Sequence, residues 1–304
     1  MPWPHSILGD RPNFWSFFFV GTLIGIDRTC WLLSESLSHA ESRFCMQANK
    51  LRYSATCGFR SFGSVTQERR MKRDRVNGNR FVAALPEAVF GRLAPDLKPV
   101  TLKRGMPLAA PGDSGKYVYF PDSGIVSLIK TMRDGRTAEV GVVGREGMAG
   151  VGMVFGIPRT AFDAVVQVDG EGHRIDTAAL RAEMDASPAV RGLALRYLSY
   201  RLAQLAQTAA CNRLHTLRQR CCRWLLTAED NVQAERFVLT HEFLALMMGV
   251  NRPGVSLTAA ALRRKNIIRY RHATITIVDR PALEEFACEC YTTMRDEAEK
   301  IYRA

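Results

Sequence analysis

The residues best suited to chemistry lie close together in the last third of the chain. Residues 251–272 contain six cations and no acidic residue. A run of guanidinium and ammonium groups without a carboxylate favours contact with a polyanion, and the phosphate backbone of DNA is the partner that it indicates most directly. The six cations are Arg252, Arg263, Arg264, Lys265, Arg269 and Arg271.

Two short helices are predicted to position these cations. Thr240 is a suitable N-cap for the first helix, and Gly249 suits its left-handed end. Asn251 is a suitable cap for the second helix, and the β-rich runs 267–270 and 274–278 follow it. Two short helices, a tight turn and a hairpin indicate a winged helix-turn-helix. The predicted buried face of the first helix is Phe243, Leu244, Leu246 and Met247.

A long helix introduced by Pro188 is predicted to precede this unit. Its leucines recur at spacings of three and four residues, which is typical of the seam of a coiled coil or helix pair. Packing against the parent domain is the alternative, but a second apolar face is available for that contact. We therefore expect the leucine seam to meet a second copy of the chain. The seam consists of Leu195, Leu198, Leu202 and Leu205, and the second face of Val190, Leu193 and Tyr197.

Short apolar or alternating runs separated by turn signals fill residues 100–175, which predicts an antiparallel sandwich or barrel. Residues 81–210 contain a single histidine, His173, so the His-carboxylate sites of metal-dependent barrel enzymes cannot be built there. The chain also lacks a Gly-x-Ser-x-Gly elbow and a phosphate-binding Gly-Lys-Ser/Thr loop. We expect no catalytic residue.

The eight cysteines do not suggest a metal centre or a disulfide scaffold. Cys30, Cys45 and Cys57 are too widely spaced for clustered iron–sulfur ligands. The pair Cys221-Cys222 and the residues Cys288 and Cys290 are interpreted as buried thiols. We therefore expect no metal and no resident cofactor.

The overall net charge is +12, and half of this excess lies in residues 1–80. That segment shows no sustained periodicity, and we interpret it as a poorly ordered extension. It would result from a start codon assigned too far upstream, with Met71 or Met46 as the candidate initiator. Its uncharged run 14–26 is too short to span a membrane, although it has the length of a signal-peptide core. We expect a cytoplasmic protein without a membrane partner, and a membrane-anchored regulator is the alternative.

Two segments resemble the Crp/Fnr family of bacterial transcription regulators. Residues 239–284, LTHEFLALMMGVNRPGVSLTAAALRRKNIIRYRHATITIVDRPALE, are similar to the family's winged helix-turn-helix. GDSGKYVYFPDSGIVSL and GRTAEVGVVGREGMAGVG, in the region 112–152, are similar to its cyclic-nucleotide-binding-type barrel. The resemblance implies an α+β fold made of an antiparallel β-barrel or jelly-roll sensor domain, a long dimerisation helix and a C-terminal winged helix-turn-helix. The implied divisions are 1–80 extension, 81–186 barrel, 187–212 dimerisation helix, 213–290 DNA-binding domain and 291–304 tail.

The resemblance also implies a homodimer that binds double-stranded DNA and regulates transcription, with RNA polymerase as a further candidate partner. Arg252 matches the family arginine that pairs with guanine or phosphate. Pro253 and Leu257 replace the Glu and the later Arg that the family has in this helix. The family's pattern of side chain–base contacts therefore does not transfer to this chain. The wing tip also lacks the usual Gly. The expected DNA-binding set is Thr240, Asn251, Arg252, Ser256, Arg263, Arg264, Lys265, Arg269 and Arg271.

The implied effector pocket departs from the family pattern. The segment Gly147-Met148-Ala149-Gly150-Val151 lacks the Glu that holds a ribose hydroxyl, and Arg159-Thr160 matches the family's Arg-Ala pair loosely. Arg159 and Thr160 remain the candidate ligand-binding residues, with cAMP or another effector as the candidate ligand. A small-molecule-binding module that regulates a protein partner is the remaining alternative function.

Overall fold

The computed structural model describes residues 78–157, 159–234 and 236–303. The predictions for the apolar run 14–26 and for the initiators Met46 and Met71 lie outside the described residues. Among the described helices, none is long and apolar enough to cross a membrane. The strands are β1 Lys98–Leu102, β2 Pro107–Ala109, β3 Tyr117–Pro121, β4 Ile125–Thr131, β5 Thr137–Val143, β6 Asp163–Val168, β7 Gly170–Asp176, β8 Arg236–Val238, β9 Ile268–Arg271 and β10 Thr274–Ile277. The helices are α1 Arg80–Ala83, α2 Glu87–Leu93, α3 Val151–Val154, α4 Thr177–Ala186, α5 Pro188–Leu214, α6 Leu217–Val232, α7 His241–Met248, α8 Arg252–Arg264, α9 Arg280–Phe286 and α10 Cys290–Lys300.

Seven strands form the predicted antiparallel β domain, and the fold class is α+β as expected. One sheet has the order β1-β7-β3 and the other the order β2-β6-β4-β5, with every pair antiparallel. Val118, Phe120, Val126 and Val166 are each at most 2% exposed, so the inward positions of both sheets build the core. The short strand β2 was not predicted, because three residues are too few to show a period.

Asn79, in the segment interpreted as a poorly ordered extension, belongs to the fold instead. Asn79 is fully buried, and its side-chain oxygen accepts hydrogen bonds from the backbone N–H groups of Phe81 and Val82. Its amide donates to the carbonyls of Pro121 and Gly147. A cap of this kind contributes about 1 kcal/mol, so the folded region begins before residue 81.

The long helix α5 presents two different faces. Val190, Leu193 and Tyr197 are at most 3% exposed and pack in the core of the β domain, as predicted. Leu195 and Leu202 are 50% and 62% exposed. Because large apolar side chains are seldom left this open along one helix face, the leucine seam is a surface suited to a partner.

The region predicted as a C-terminal tail, residues 291–304, is largely helical and has buried residues. Helix α10 covers most of it, and Tyr291, Ala298 and Ile301 are buried. The helix packs against α5 and α6. Its apolar residues are too few to show a strong period in the sequence, and the contact across more than 80 residues decides its structure.

The β domain and the helix-turn-helix share one apolar core. Ile129 and Val142 of the sheet belong to the same buried cluster as Trp224 and Leu225 of α6. A fully buried large apolar side chain contributes about 1.5–3 kcal/mol, so this contact holds the two regions together strongly. Glu139 of β5 lies within it and accepts a hydrogen bond from the indole Nε1 of Trp224 at 3.1 Å.

Candidate nucleic-acid interface

Side-chain caps fix the two helices of the helix-turn-helix. The Thr240 hydroxyl accepts from the backbone N–H of Phe243 at 3.2 Å and begins α7. Gly249 ends α7 with a left-handed φ of 63°. Asn251 Oδ1 accepts from the backbone N–H of Gly254 at 3.2 Å and begins α8. Both caps and the glycine terminator lie where the sequence predicts them.

Burial of one face of α8 leaves its other face in solvent. Val255, Ala259 and Leu262 recur at spacings of four and three residues and are at most 6% exposed. Leu257 is 73% exposed and lies on the open face, and Arg252 is exposed at the N-terminal end of the helix. The structure therefore presents an apolar side chain on the open face of α8 and a guanidinium at its N-terminal end.

The predicted buried face of α7 needs correction at two residues. Leu244 and Met247 are buried as expected, whereas Phe243 is only half-buried and Leu246 is 39% exposed. Ala245 and Met248 complete the buried face instead, because they lie one turn apart on the side that contacts α8 and β5. Small Ala245 is not distinguished as a core residue by its hydropathy, so the sequence favoured the larger Leu246.

The six predicted cations are all exposed, but their neighbours differ. Arg263, Arg264, Arg269 and Arg271 are exposed at the end of α8 and on the wing. The exposed Lys265 places its Nζ 5.3 Å from the centroid of the Phe286 ring. Arg263 and Arg264 lie on the last turn of α8, Lys265 is its C-cap, and Arg269 and Arg271 lie on β9; these five exposed residues are termed the basic surface.

Arg252, the sixth cation, has an acidic neighbour. Its Nε lies 2.9 Å from Oε1 of Glu242 in α7, and both side chains are more than half exposed. An exposed pair of this kind contributes at most about 1 kcal/mol, so DNA could displace the carboxylate. The sequence stretch 251–272 is free of acids, but the fold supplies one from α7.

The hydroxyl of Ser256 is already engaged. His241 Nδ1 lies 3.0 Å from Ser256 Oγ, and the imidazole stacks on Tyr270 of the wing with ring centroids 4.4 Å apart. Burial, followed by the charge of Arg252, lowers the pKa of His241, which favours the neutral imidazole. Ser256 is half-buried in this network. It therefore joins α8 to α7 and the wing, in addition to its predicted place near the DNA.

The wing turns through two residues that are not glycine. Arg271 ends β9 and Thr274 begins β10, and between them His272 and Ala273 have φ values of 49° and 61°. Two consecutive left-handed residues form the type I′ turn that suits a two-residue hairpin. The missing glycine therefore leaves the hairpin intact, at some cost in backbone strain.

The candidate ligand residues line a cavity of about 320 Å³ between the β domain and the seam. Arg159 and Thr160 lie on its wall together with Leu198, Leu202 and Leu205. The Thr160 hydroxyl accepts from the backbone N–H of Phe162 at 3.2 Å, which fixes the loop. Among the described residues that line the cavity, none is acidic, and Arg159 and Arg201 are the cations.

The comparisons with known proteins agree with this architecture. Residues 99–187 match the cyclic nucleotide-binding domain, and residues 219–286 match the Crp-like helix-turn-helix domain. A CRP-like cAMP-activated global transcriptional regulator of Mycobacterium tuberculosis is 27% identical over 207 residues, which cover 66% of this chain and 92% of the relative.

Solved structures show the same fold. FixK2 from Bradyrhizobium japonicum superposes with a TM-score of 0.55 at 15% identity, over 63% of this chain and 98% of that one. The c-di-GMP responsive global regulator CLP of Xanthomonas campestris gives a TM-score of 0.52 at 18% identity, over 63% and 99% of the two chains. A sensor barrel joined to a winged helix-turn-helix defines a DNA-binding transcription regulator. The chain belongs to the Crp/Fnr family.

Proposed function

We propose that the chain binds a two-fold symmetric DNA site as a homodimer and places α8 in the major groove. The open surface of α8 carries this proposal, because Arg252 at its N-terminal end and Leu257 on its open face are exposed while the face of Val255, Ala259 and Leu262 is buried in the domain. A helix enters the major groove only when one face is free along its N-terminal turns.

This mode of binding places the protein in the cytoplasm with the chromosome, and RNA polymerase is the further partner proposed for a regulator bound at a promoter.

Two kinds of contact are proposed for the interface. Arg252 pairs with guanine O6 and N7, and Leu257 supplies an apolar contact to a thymine methyl group. Asn251 and Ser256 complete the base-facing end of α8. Phosphate contacts come from Thr240 and from the basic surface of Arg263, Arg264, Lys265, Arg269 and Arg271. These contacts differ from the base contacts that the family resemblance implies, because Pro253 and Leu257 stand where the family has Glu and Arg.

The homodimer is proposed to form through Leu195, Leu198, Leu202 and Leu205. The open leucines of α5 support this arrangement, since covering them removes large apolar groups from water. Two α8 helices related by a two-fold axis would then read half-sites about 34 Å apart. The site that the dimer prefers should therefore be a palindrome.

Selection of bound fragments from random DNA tests this function. We expect an inverted repeat whose two halves are centred about 10 base pairs apart or a multiple of that distance. Affinity for the selected site should exceed that for a scrambled one by about 10³-fold or more. Binding of all fragments with equal affinity would contradict the proposal.

The proposed effector is a small molecule with an apolar body and one anionic group, which binds beside Arg159 in the cavity. The apolar lining and the absence of an acidic group among its described wall residues support this class over a ribose-bearing ligand. Leucines of the seam form part of the wall, so a ligand there would shift the population of dimer conformations.

A screen of small carboxylates and phosphates, with cAMP included, tests the effector. A ligand at 100 times its Kd stabilises the folded state by about 2.7 kcal/mol, which thermal denaturation detects. The shift should be lost in Arg159→Ala and kept in Arg133→Ala, an exposed arginine outside the cavity. A ligand whose stabilisation survives Arg159→Ala would contradict the role of that guanidinium.

A further inference from the structure

Four side chains of ligand type meet where the long helix α5 ends. Cys211 is on the last turns of α5 and His215 follows its end, while Cys288 and Cys290 lie at the start of α10. Their ligand atoms all lie within 4.8 Å of one another. The three thiols are buried, and the imidazole is only 15% exposed. This cluster was not predicted, because Cys211 and Cys288 are 77 residues apart in the sequence.

The spacing of the ligand atoms suits one tetrahedral ion. Bonds of about 2.3 Å to thiolates and 2.0–2.1 Å to imidazole place neighbouring ligand atoms roughly 3.5–3.8 Å apart. The Sγ atoms of Cys211 and Cys288 are 3.6 Å apart, and Cys290 Sγ is 3.6 Å from His215 Nδ1. An iron–sulfur cluster divides its protein ligands among two or more irons, and ligands on different irons need wider separations than these. The cluster therefore matches a mononuclear site.

The groups around the cluster have the chemistry of an outer ligand shell. His215 points Nδ1 at Cys290 and holds Nε2 3.2 Å from the Glu289 carboxylate. Histidine ligands commonly donate their second N–H to a carboxylate, which orients the ring and raises its basicity. Gln207 Nε2 donates to Cys290 Sγ at 2.9 Å, a contact that stabilises a thiolate. Both contacts prepare the ligands for a cation.

We propose that Cys211, His215, Cys288 and Cys290 bind one Zn²⁺ ion in a closed, tetrahedral Cys₃His site. Three sulfur ligands favour a soft or borderline ion over Mg²⁺ or Ca²⁺, and four protein ligands leave no position for a substrate. Binding releases the three thiol protons to solvent, so each sulfur coordinates as a thiolate. The expectation of no metal in the chain is replaced by this assignment.

The position of the site gives it a structural role in the regulator. His215 lies between α5, which carries the leucine seam, and α6, the first helix of the DNA-binding domain. The ion ties the end of α5 and the turn before α6 to the start of α10, and α10 packs against both helices. The Zn²⁺ therefore holds the junction between the dimer seam and the helix-turn-helix. This role does not depend on the proposed DNA sequence or effector.

Metal analysis of the full-length chain, purified under reducing conditions without added metal, tests the site. We expect about one zinc per chain by mass spectrometry of the elements. After exchange with Co²⁺, the spectrum should show thiolate-to-cobalt charge transfer and the intense visible bands of a tetrahedral site. Cys288→Ser should lose both signals, whereas Cys222→Ser, a buried thiol outside the cluster, should retain them.

A milder variant keeps the test valid if loss of a ligand disturbs folding. Glu289 is exposed, so Glu289→Gln leaves the core intact and should weaken Zn²⁺ binding by about 10- to 100-fold in competition with a chelator. Glu285→Gln, another exposed carboxylate, should not change the affinity. Wild-type protein without zinc that also fails to bind Co²⁺ would overturn the proposal. So would a Cys211–Cys288 disulfide in protein purified without reductant, or equal zinc affinity in Glu289→Gln and wild type.

Discussion

Glu139 places a titratable carboxyl at the contact between the β domain and the DNA-binding domain. It is only 6% exposed, and it accepts hydrogen bonds from Ser127 Oγ at 2.6 Å and from Trp224 Nε1 at 3.1 Å. Burial raises its pKa to about 7, against the opposing effects of these hydrogen bonds and of the positive charges of Arg223 and Arg201. The carboxyl is therefore protonated in the folded chain at mildly acidic pH.

The raised pKa determines the sign of the pH dependence. Between its ordinary pKa of 4.5 and about 7, the folded state holds a proton that the unfolded state has released. Stability from this group is present at the low end of that window and falls as the pH rises through it. A shift of this size corresponds to about 3 kcal/mol as an upper bound.

The substitution Glu139→Gln isolates this effect. The neutral amide oxygen still accepts from Trp224, but it carries no charge at any pH. We expect the variant to match the wild type at pH 5 and to exceed its free energy of unfolding by up to about 3 kcal/mol at pH 8. Urea unfolding followed by tryptophan fluorescence measures this difference, with the exposed Glu285→Gln as the matched control. A variant that is less stable than the wild type at pH 8 would contradict a raised pKa at Glu139.

Three further predictions concern the wing, the α7–α8 contact and the seam. Ala273→Gly should raise the free energy of unfolding by about 1 kcal/mol, because it removes a side chain from a left-handed residue; a lower Tm would contradict this. Glu242→Gln should strengthen binding to scrambled DNA several-fold, since it removes the anion beside Arg252; unchanged anisotropy titrations would argue against that pairing. Leu202→Glu should give monomers by light scattering, since it puts a charge in the leucine seam; a dimer that survives this substitution would exclude the seam.

Local chemistry explains what the sequence could predict. Thr240, Gly249 and Asn251 act on backbone groups within three or four residues, so their capping roles are visible without a fold. The long helix α5 and the longer strands show their periods for the same reason. Strands β2 and β8 contain three residues each and show none.

Contacts between distant segments account for what the sequence could not predict. Glu242 reaches Arg252 only because α7 and α8 cross, and Tyr270 meets His241 only because the wing folds back. The helix within residues 291–304 forms because it packs against α5 and α6. The Cys₃His cluster joins two segments that carry no recognisable spacing when each is considered alone.

Affinity for two DNA fragments distinguishes base recognition by Arg252 from phosphate binding by Arg264. Fluorescence anisotropy at one fixed salt concentration compares the selected site with a scrambled one. Arg252→Ala should cost about 1–3 kcal/mol on the selected site and little on the scrambled one, so specificity falls. Arg264→Ala should weaken both alike, and Arg191→Ala, an exposed arginine at the start of α5, should change neither. Equal losses on both fragments for Arg252→Ala, or no loss at all, would contradict the account.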